Sequence, residues 1–325
     1  MRPRNPRNTQ EHKQMRKESM TVSRRGFLGT AAATAATAIL PQRLFGADAK
    51  PNSNFSGVQI GVNTYSYRDT RATSAEQVLG YLLENGLSSV ELQAGSINPY
   101  IKAPSISADD PAASDKWLAA SEDKEILARC AALRKMYEDA GVKIHTSKFG
   151  NIGESKMTDG QVEFCFKMAK ALGSTVITRE IDQNIARRLG PLADKHKIYI
   201  ALHNHEQINA TTYDGPILSH GEYLAINFDI GHYVAANDDS VLEFIEKYHK
   251  RMVSLHLKDR KNKANGKANM PFGEGDTPIV DVLKLLQKNK YPMTADIELE
   301  YKIPEGSNPV KEVTRCVQYC KVALS

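Results

Sequence analysis

Ile226-Asn227-Phe228-Asp229-Ile230-Gly231-His232 joins an apolar, β-branched run to a carboxylate, and an imidazole follows three residues later. The same change occurs on either side of it. Tyr199-Ile200-Ala201-Leu202 gives way to His203-Asn204-His205, and Met252-Val253-Ser254-Leu255 gives way to His256-Leu257-Lys258-Asp259. Met293-Thr294-Ala295-Asp296-Ile297-Glu298-Leu299-Glu300 is a fourth instance. Strands that turn from apolar to ligand-type side chains at their C-terminal ends are what an α/β protein of the (β/α)8 TIM-barrel class requires, with a site on its top face.

Outward from these segments, short β-branched runs alternate with segments of helical period from Val58 onward, the pattern of a parallel sheet built from βα units. Eight strands are expected: Val58–Asn63, Ser89–Leu92, Val142–His145, Thr175–Thr178, Ile198–His203, Ala225–Asp229, Met252–His256 and Met293–Glu298. Helices are expected at Ser74–Leu83, Glu122–Ala140, Asp159–Leu172, Gln183–His196, Ser240–Lys247, Pro278–Gln287 and Pro309–Val322. Ser74 followed by Gln77 is a variant of the capping box. Glu206–Tyr223 carries at most a short turn, and residues 93–120 form a long insertion rich in Ser, Pro, Ala and Asp.

The net charge of +5 is unevenly placed: residues 1–49 hold nine Lys or Arg against three acids, leaving 34 basic and 35 acidic residues in the body. The body therefore offers no basic excess for a polyanion, and nucleic acid is not an expected partner. Residues 1–49 have the layout of a signal peptide: a basic start, a short run of small apolar residues from Ala31 to Leu40, and Ala47-Asp48-Ala49 as a cleavage site. Ser23-Arg24-Arg25-Gly26-Phe27-Leu28 resembles the twin-arginine export motif. The expectation is a periplasmic or otherwise exported protein, with the catalytic domain at residues 50–325 and no stable membrane insertion, because the apolar run is too short to span. Cys130, Cys165, Cys316 and Cys320 show no zinc spacing and are expected as small core residues.

Each strand delivers polar chemistry at its C-terminal end. The first gives Asn63-Thr64-Tyr65-Ser66-Tyr67-Arg68, the second Glu91, the third His145 and Lys148, and the fourth Arg179-Glu180. The last four give His203, Asp229, His256 and Glu298. The body resembles the xylose isomerase-like barrel superfamily of sugar epimerases, inosose dehydratases and endonuclease-IV-like proteins over nearly all of residues 57–325. The resemblance is carried by Phe228-Asp229-Ile230-Gly231-His232, His256-Leu257-Lys258-Asp259 and Gly273-Glu274-Gly275-Asp276. It implies one divalent metal held by His203, Asp229, His256 and Glu298, with His205 and Glu300 as competing choices on the same strand faces. Two imidazoles and two carboxylates suit Mn²⁺, Zn²⁺, Co²⁺ or Fe²⁺, and the need for five or six coordination with substrate bound favours Mn²⁺.

Epimerases of this superfamily carry a glutamate at the fifth-strand position, where it binds metal and moves a proton; this chain has His203 there. The resemblance then implies Glu298 as general base, with His203 and Lys148 as further catalytic candidates. Tyr65, Glu91, Glu180, His205, His232 and Lys258 are candidates for contact with substrate; Glu91 and Glu180 are equally placed to orient metal ligands, and Lys258 to be a rim cation. The implied activity is isomerisation or epimerisation of a keto-sugar or polyol through an enediolate, with a lyase, dehydratase or hydratase acting on a 3-keto-glycoside or keto-inositol as the alternative. A non-catalytic sugar-binding barrel is the reading from a different class. The expected partner is a small carbohydrate, unphosphorylated because Lys and Arg are scarce near the strand ends, and a homo-oligomer is compatible with the chain.

Overall fold

The computed structural model describes residues 50–70, 74–102 and 123–325. The expected leader, its cleavage site and most of the insertion at 93–120 lie outside the described residues. Every expected strand is found: β1 Val58–Asn63, β2 Ser89–Gln93, β3 Lys143–Lys148, β4 Val176–Glu180, β5 Tyr199–His203, β6 Leu224–Asp229, β7 Met252–Leu257 and β8 Thr294–Ile297. Each pairs in parallel with the next, and β1 closes the ring by pairing with β8 as well as β2.

The helices are α1 Ala75–Glu84, α2 Ala94–Ile101, α3 Asp123–Asp139, α4 Asp159–Leu172, α5 Gln183–His196, α6 Ile230–Ala236, α7 Val241–Tyr248, α8 Ile279–Asn289 and α9 Pro309–Ala323. Ser74 and Gln77 close the expected capping box of α1. Two helices were not expected: α2, which opens the insertion, and α6, which starts where β6 stops. The β5–β6 connection has only the 3-10 turns Thr212–Asp214 and Pro216–His220. All four cysteines are buried and free. No described helix is long and apolar enough to cross a membrane.

Alternation along the strands separates two environments. Ile226, Phe228, Leu255, Leu257 and Ile297 are buried among the apolar residues of the core, and Phe228 stacks on Phe244 of α7 with centroids 4.4 Å apart. The residues between them face the barrel lumen. Such a lumen is usually filled by Val, Ile and Leu. Here it holds buried Glu91, His145, Thr178, His203, Asn227, Ser254, His256 and Asp296. They bond in chains, as buried polar groups must: Ser89 Oγ to His145 Nδ1 at 2.8 Å and His145 Nε2 to Asp296 Oδ2 at 3.0 Å make one, spanning β2, β3 and β8. At the seam between β1 and β8, Ser66 Oγ donates to Ile297 O at 3.1 Å and accepts from Leu299 N at 3.0 Å.

Beyond β7 the chain forms a short ribbon, Asp259–Arg260 against Asn269–Met270. The Asp259 carboxylate accepts the backbone N–H groups of Gly273 at 2.8 Å, Gly275 at 3.0 Å and Thr277 at 3.2 Å. A Cβ on Gly275 would lie 1.9 Å from Asp259 Oδ1, so the approach needs glycine there. This explains the Gly273-Glu274-Gly275-Asp276 motif as the cradle of a carboxylate. Asp259→Ala leaves three loop donors without that acceptor and is expected to cost about 3 kcal/mol. Equilibrium denaturation checks it, and an unchanged midpoint would show that the loop is held by other means.

Candidate metal centre

Parallel register sets the site residues abreast: Glu180 beside His203, His203 beside Asn227, and Asp229 beside His256. The strand pairing shifts between Ile226 and Asn227 and between Val90 and Glu91. Such bulges re-aim side chains next to functional sites. Asp229 ends β6 and is also the N-cap of α6: Oδ1 accepts the N–H of His232 at 2.7 Å, which leaves Oδ2 for the lumen. Asn204 holds the same residue from the side, accepting from Asp229 N at 2.9 Å and donating to Asp229 O at 3.1 Å.

The two imidazoles are each aimed by a two-step relay. His203 Nδ1 donates to Asn227 Oδ1 at 2.7 Å, and Asn227 Nδ2 donates to Ser254 Oγ at 2.6 Å. His203 Nε2 therefore carries the free lone pair. His256 Nε2 donates to Glu91 Oε2 at 2.8 Å, and Thr178 Oγ1 donates to Glu91 Oε1 at 2.8 Å, which leaves Nδ1 of His256 for the centre. Asn63 Nδ2 donates to Glu298 Oε1 at 3.0 Å.

His203, Asp229, His256 and Glu298 are all buried, and one donor atom from each lies within 4.8 Å of the others. Asp229 Oδ2, His256 Nδ1 and Glu298 Oε2 have no directed hydrogen bond. Lys258 Nζ lies 3.0 Å from the first of these oxygens and 2.8 Å from the second, and His256 Nδ1 lies 3.2 Å from Glu298 Oε2. Converging beside the free nitrogen of His203, these atoms form a set that can hold a metal ion. Electrostatics keep this set in its ligating form in part. Burial works against the charge on Glu298, but Lys258 and His256 outweigh it and hold its pKa well below the usual carboxylate range. Burial, with His256 close by, pushes His203 down to about 4, so it is neutral near pH 7. His256 is also disfavoured as a cation by burial, yet Glu298 and Glu91 raise its pKa well above normal, so a proton competes with a metal for Nδ1.

With this geometry in hand, comparison with known families matches the xylose isomerase-like TIM barrel over residues 52–319. The chain belongs to that family. No curated protein matches it. Among solved structures, the barrel is similar to the probable 3-DHS dehydratase AsbF of Bacillus anthracis, with 15% identity, a TM-score of 0.57, and coverage of 80% of this chain and 98% of that one. A xylose isomerase domain protein from Planctomyces limnophilus gives 14% identity, a TM-score of 0.57, and coverage of 84% and 98%. A sugar phosphate isomerase/epimerase from Parabacteroides distasonis gives 18% identity, a TM-score of 0.53, and coverage of 81% and 93%. At these identities the likeness is one of fold.

Within this xylose isomerase-like barrel, the structure separates the competing candidates. His205 has a 57% exposed side chain with Nε2 at 3.5 Å from Glu180 Oε2; it stands at the mouth, grouped with Glu180 and His203, and of the two histidines His203 belongs to the buried four-residue cluster. Glu300 lies outside the cluster, bound to Lys258 Nζ at 2.9 Å, while Glu298 lies within it. Glu91, a candidate for substrate contact, is fully buried behind His256 and orients that ring instead. Lys258 is no rim cation: it is 2% exposed, with Nζ at 3.0 Å from Asp229 Oδ2 and 2.8 Å from Glu298 Oε2. His232 is wedged between Lys258 Nζ at 2.9 Å and Arg260 at 2.7 Å, and burial with these cations pushes its pKa to about 3.

Lys148 donates to Glu180 Oε1 at 2.9 Å; burial opposes its charge, but Glu180, Glu91 and Glu298 outweigh this and raise its pKa. Glu180 Oε2 makes no hydrogen bond, with His205 Nε2 at 3.5 Å. Beside it opens a cleft of about 380 Å³ lined by Glu154, Ser155, Lys156, Asp182 and Asn184 among others. Tyr65 is 41% exposed with the Arg68 guanidinium over its ring, and Tyr67 is buried with its hydroxyl on Asn85, so neither lies among the clustered donors. Arg179 faces away from the lumen, donating to Ile152 O at 3.1 Å. His145 sits deeper in the lumen with Asp296.

Sequence reasoning placed Asn63 at the end of the first strand without a role and missed Thr178, Asn227 and Ser254. The signal available was parity: Asn227-x-Asp229, Ser254-x-His256-x-Lys258, Thr178-x-Glu180 and Asp296-x-Glu298 put polar residues at every second strand position. Glu91→Leu removes the acceptor of both His256 Nε2–H and Thr178 Oγ1–H in a dry interior. It is expected to cost about 3 kcal/mol, while the near-isosteric Glu91→Gln costs less. Urea denaturation of both variants tests this; equal losses would show that the carboxylate charge, which both variants remove, matters more than the hydrogen bonds at this position.

Proposed function

We propose that the protein is a divalent-metal-dependent carbohydrate isomerase or epimerase working through an enediolate of a keto-sugar or polyol. The observation that carries this is the convergence of His203, Asp229, His256 and Glu298 from the ends of four successive strands, with three of their donor atoms free of directed hydrogen bonds. This donor set suits Mn²⁺ first and Zn²⁺, Co²⁺ or Fe²⁺ as well. When bound, such an ion supplies Lewis-acid polarisation of an adjacent hydroxyl and carbonyl. Glu298, ionised through Lys258 and aimed by Asn63, is placed to take the proton from the carbon between them. Lys148 and Glu180 offer a paired acid and base at the mouth, where the exposed His205 and the adjoining cleft leave room for the rest of a small carbohydrate.

A second reading, a lyase or dehydratase acting on a 3-keto-glycoside or keto-inositol, is favoured by one observation. The centre is lopsided, with a clustered carboxylate base at Glu298 but an imidazole at the β5 position, so removing a proton and assisting a leaving group fall to different kinds of side chain. A fold likeness to a probable 3-DHS dehydratase is in line with it.

The test is metal content of the chelator-free protein beside Asp229→Ala and His256→Ala, followed by deuterium exchange from solvent into keto-sugars. One ion per chain, lost in both variants, with exchange next to the carbonyl only when metal is present, is the expected outcome. Exchange without elimination favours the isomerase, and loss of water or an alcohol favours the lyase. Bound sugar with no metal and no exchange would leave a non-catalytic sugar-binding barrel.

Export by the twin-arginine route, to the periplasm or beyond, is proposed on Ser23-Arg24-Arg25-Gly26-Phe27-Leu28. The mature protein is then expected to begin at Lys50 in N-terminal sequencing of the exported fraction. A cytoplasmic protein retaining residues 1–49 would overturn this.

A further inference from the structure

We propose that Lys258 is a resident counter-cation of the metal centre, which keeps the ligand carboxylates assembled in the metal-free protein and thereby limits how tightly metal binds. It rests on the metal reading given above. Lys258 Nζ lies 3.0 Å from Asp229 Oδ2, 2.8 Å from Glu298 Oε2 and 2.9 Å from Glu300 Oε2. Two of these oxygens, Asp229 Oδ2 and Glu298 Oε2, are among the atoms without a directed hydrogen bond. The ammonium thus offsets their charge at ion-pair distance and takes up part of their acceptor capacity, leaving each oxygen a further lone pair for an ion. A buried carboxylate pair with no such cation would be driven apart or protonated.

The surroundings hold the ammonium in place. A Cβ on Gly231 would lie 2.6 Å from Lys258 O and 2.9 Å from both Cβ and Cγ of Lys258, so only glycine lets α6 close over this stem. His232 covers the ammonium at 2.9 Å and is backed by Arg260 at 2.7 Å. On the other side of the chain Asp259 is tied by Gly273, Gly275 and Thr277. The three sequence motifs that carry the family resemblance therefore converge on one buried lysine: the first covers it, the second contains it and the third anchors the residue after it. An incoming divalent ion shares Asp229 and Glu298 with a like charge that these contacts do not let withdraw. Like charges at such range in a dry site repel appreciably.

The experiment uses the full chain, stripped with chelator, as wild type, Lys258→Met and Lys258→Arg, followed by thermal melts and calorimetric titration with Mn²⁺. Without metal, Lys258→Met is expected to melt about 10 °C below wild type, because it leaves buried carboxylates uncompensated. Its Mn²⁺ affinity is expected to be tighter by about tenfold or more, since the repelling charge is gone, and saturating Mn²⁺ is expected to bring its melting temperature close to that of wild type. Lys258→Arg keeps the charge and stays within about threefold of wild-type affinity. A lysine that only packs or only touches substrate would give unchanged or weaker Mn²⁺ binding in Lys258→Met, and that result would overturn the inference alone. If Lys258→Met folds only when Mn²⁺ is present, the inference stands; if it fails to fold with Mn²⁺ as well, the inference falls. Wild type that binds no Mn²⁺ would remove the metal reading itself.

Discussion

Buried carboxylates govern this molecule. Glu91, Asp229, Asp296 and Glu298 all lie in the barrel lumen or at its end, nearly out of reach of solvent. An ionised carboxylate in such a place is tolerated only with a cation or several donors at hand. Each of the four has them: Glu91 has His256 and Thr178, Asp229 has Lys258 and the first turn of α6, Asp296 has His145, and Glu298 has Lys258 and Asn63. Much of what looks incidental in the fold serves this compensation, from the abrupt start of α6 to the glycine loop around Asp259. A barrel with an aliphatic lumen could not present such a centre, because its ligands would have nothing beneath them to fix their direction.

The consequence is that the atoms offered to the centre are chosen by their neighbours. Asn227 takes Nδ1 of His203, so Nε2 is offered; Glu91 takes Nε2 of His256, so Nδ1 is offered. The two rings present opposite nitrogens for the same physical reason. The wall formed by β8 then contributes a carboxylate, while β3 and β4 together supply the Lys148–Glu180 pair, an unequal division of charged groups across one small space.

Much of this was legible in the chain. Eight strands could be read because β-branched runs and helical periods differ in pattern. The strand ends carrying the clustered side chains stood out because each ends an apolar run or follows one closely, while the choice of His203 over His205 and of Glu298 over Glu300 rested on the family resemblance. The orienting partners were not legible, since they are set across the barrel: Glu91 meets His256 at a separation of 165 residues, and His145 meets Asp296 at 151. Lys258 looked like a rim charge because sequence says nothing of depth. Helix α6 escaped notice because Ile230-Gly231-His232-Tyr233-Val234 is β-branched and glycine-containing, and its helical state comes from the Asp229 cap and the packing of Tyr233 against Phe244. The expected twin-arginine leader lies outside the described residues.

The polar lumen also bears on which strand pairings the chain can adopt at all. In an aliphatic barrel, sliding one strand by a residue exchanges one apolar face for another of similar kind. Here the same slip in β7 would turn His256 outward against the helices and set Leu255 and Leu257 facing Glu91. The polar groups gathered at the centre are therefore also the marks by which the strands find their alignment, and a sequence that lost them would lose part of the information that specifies its own shape.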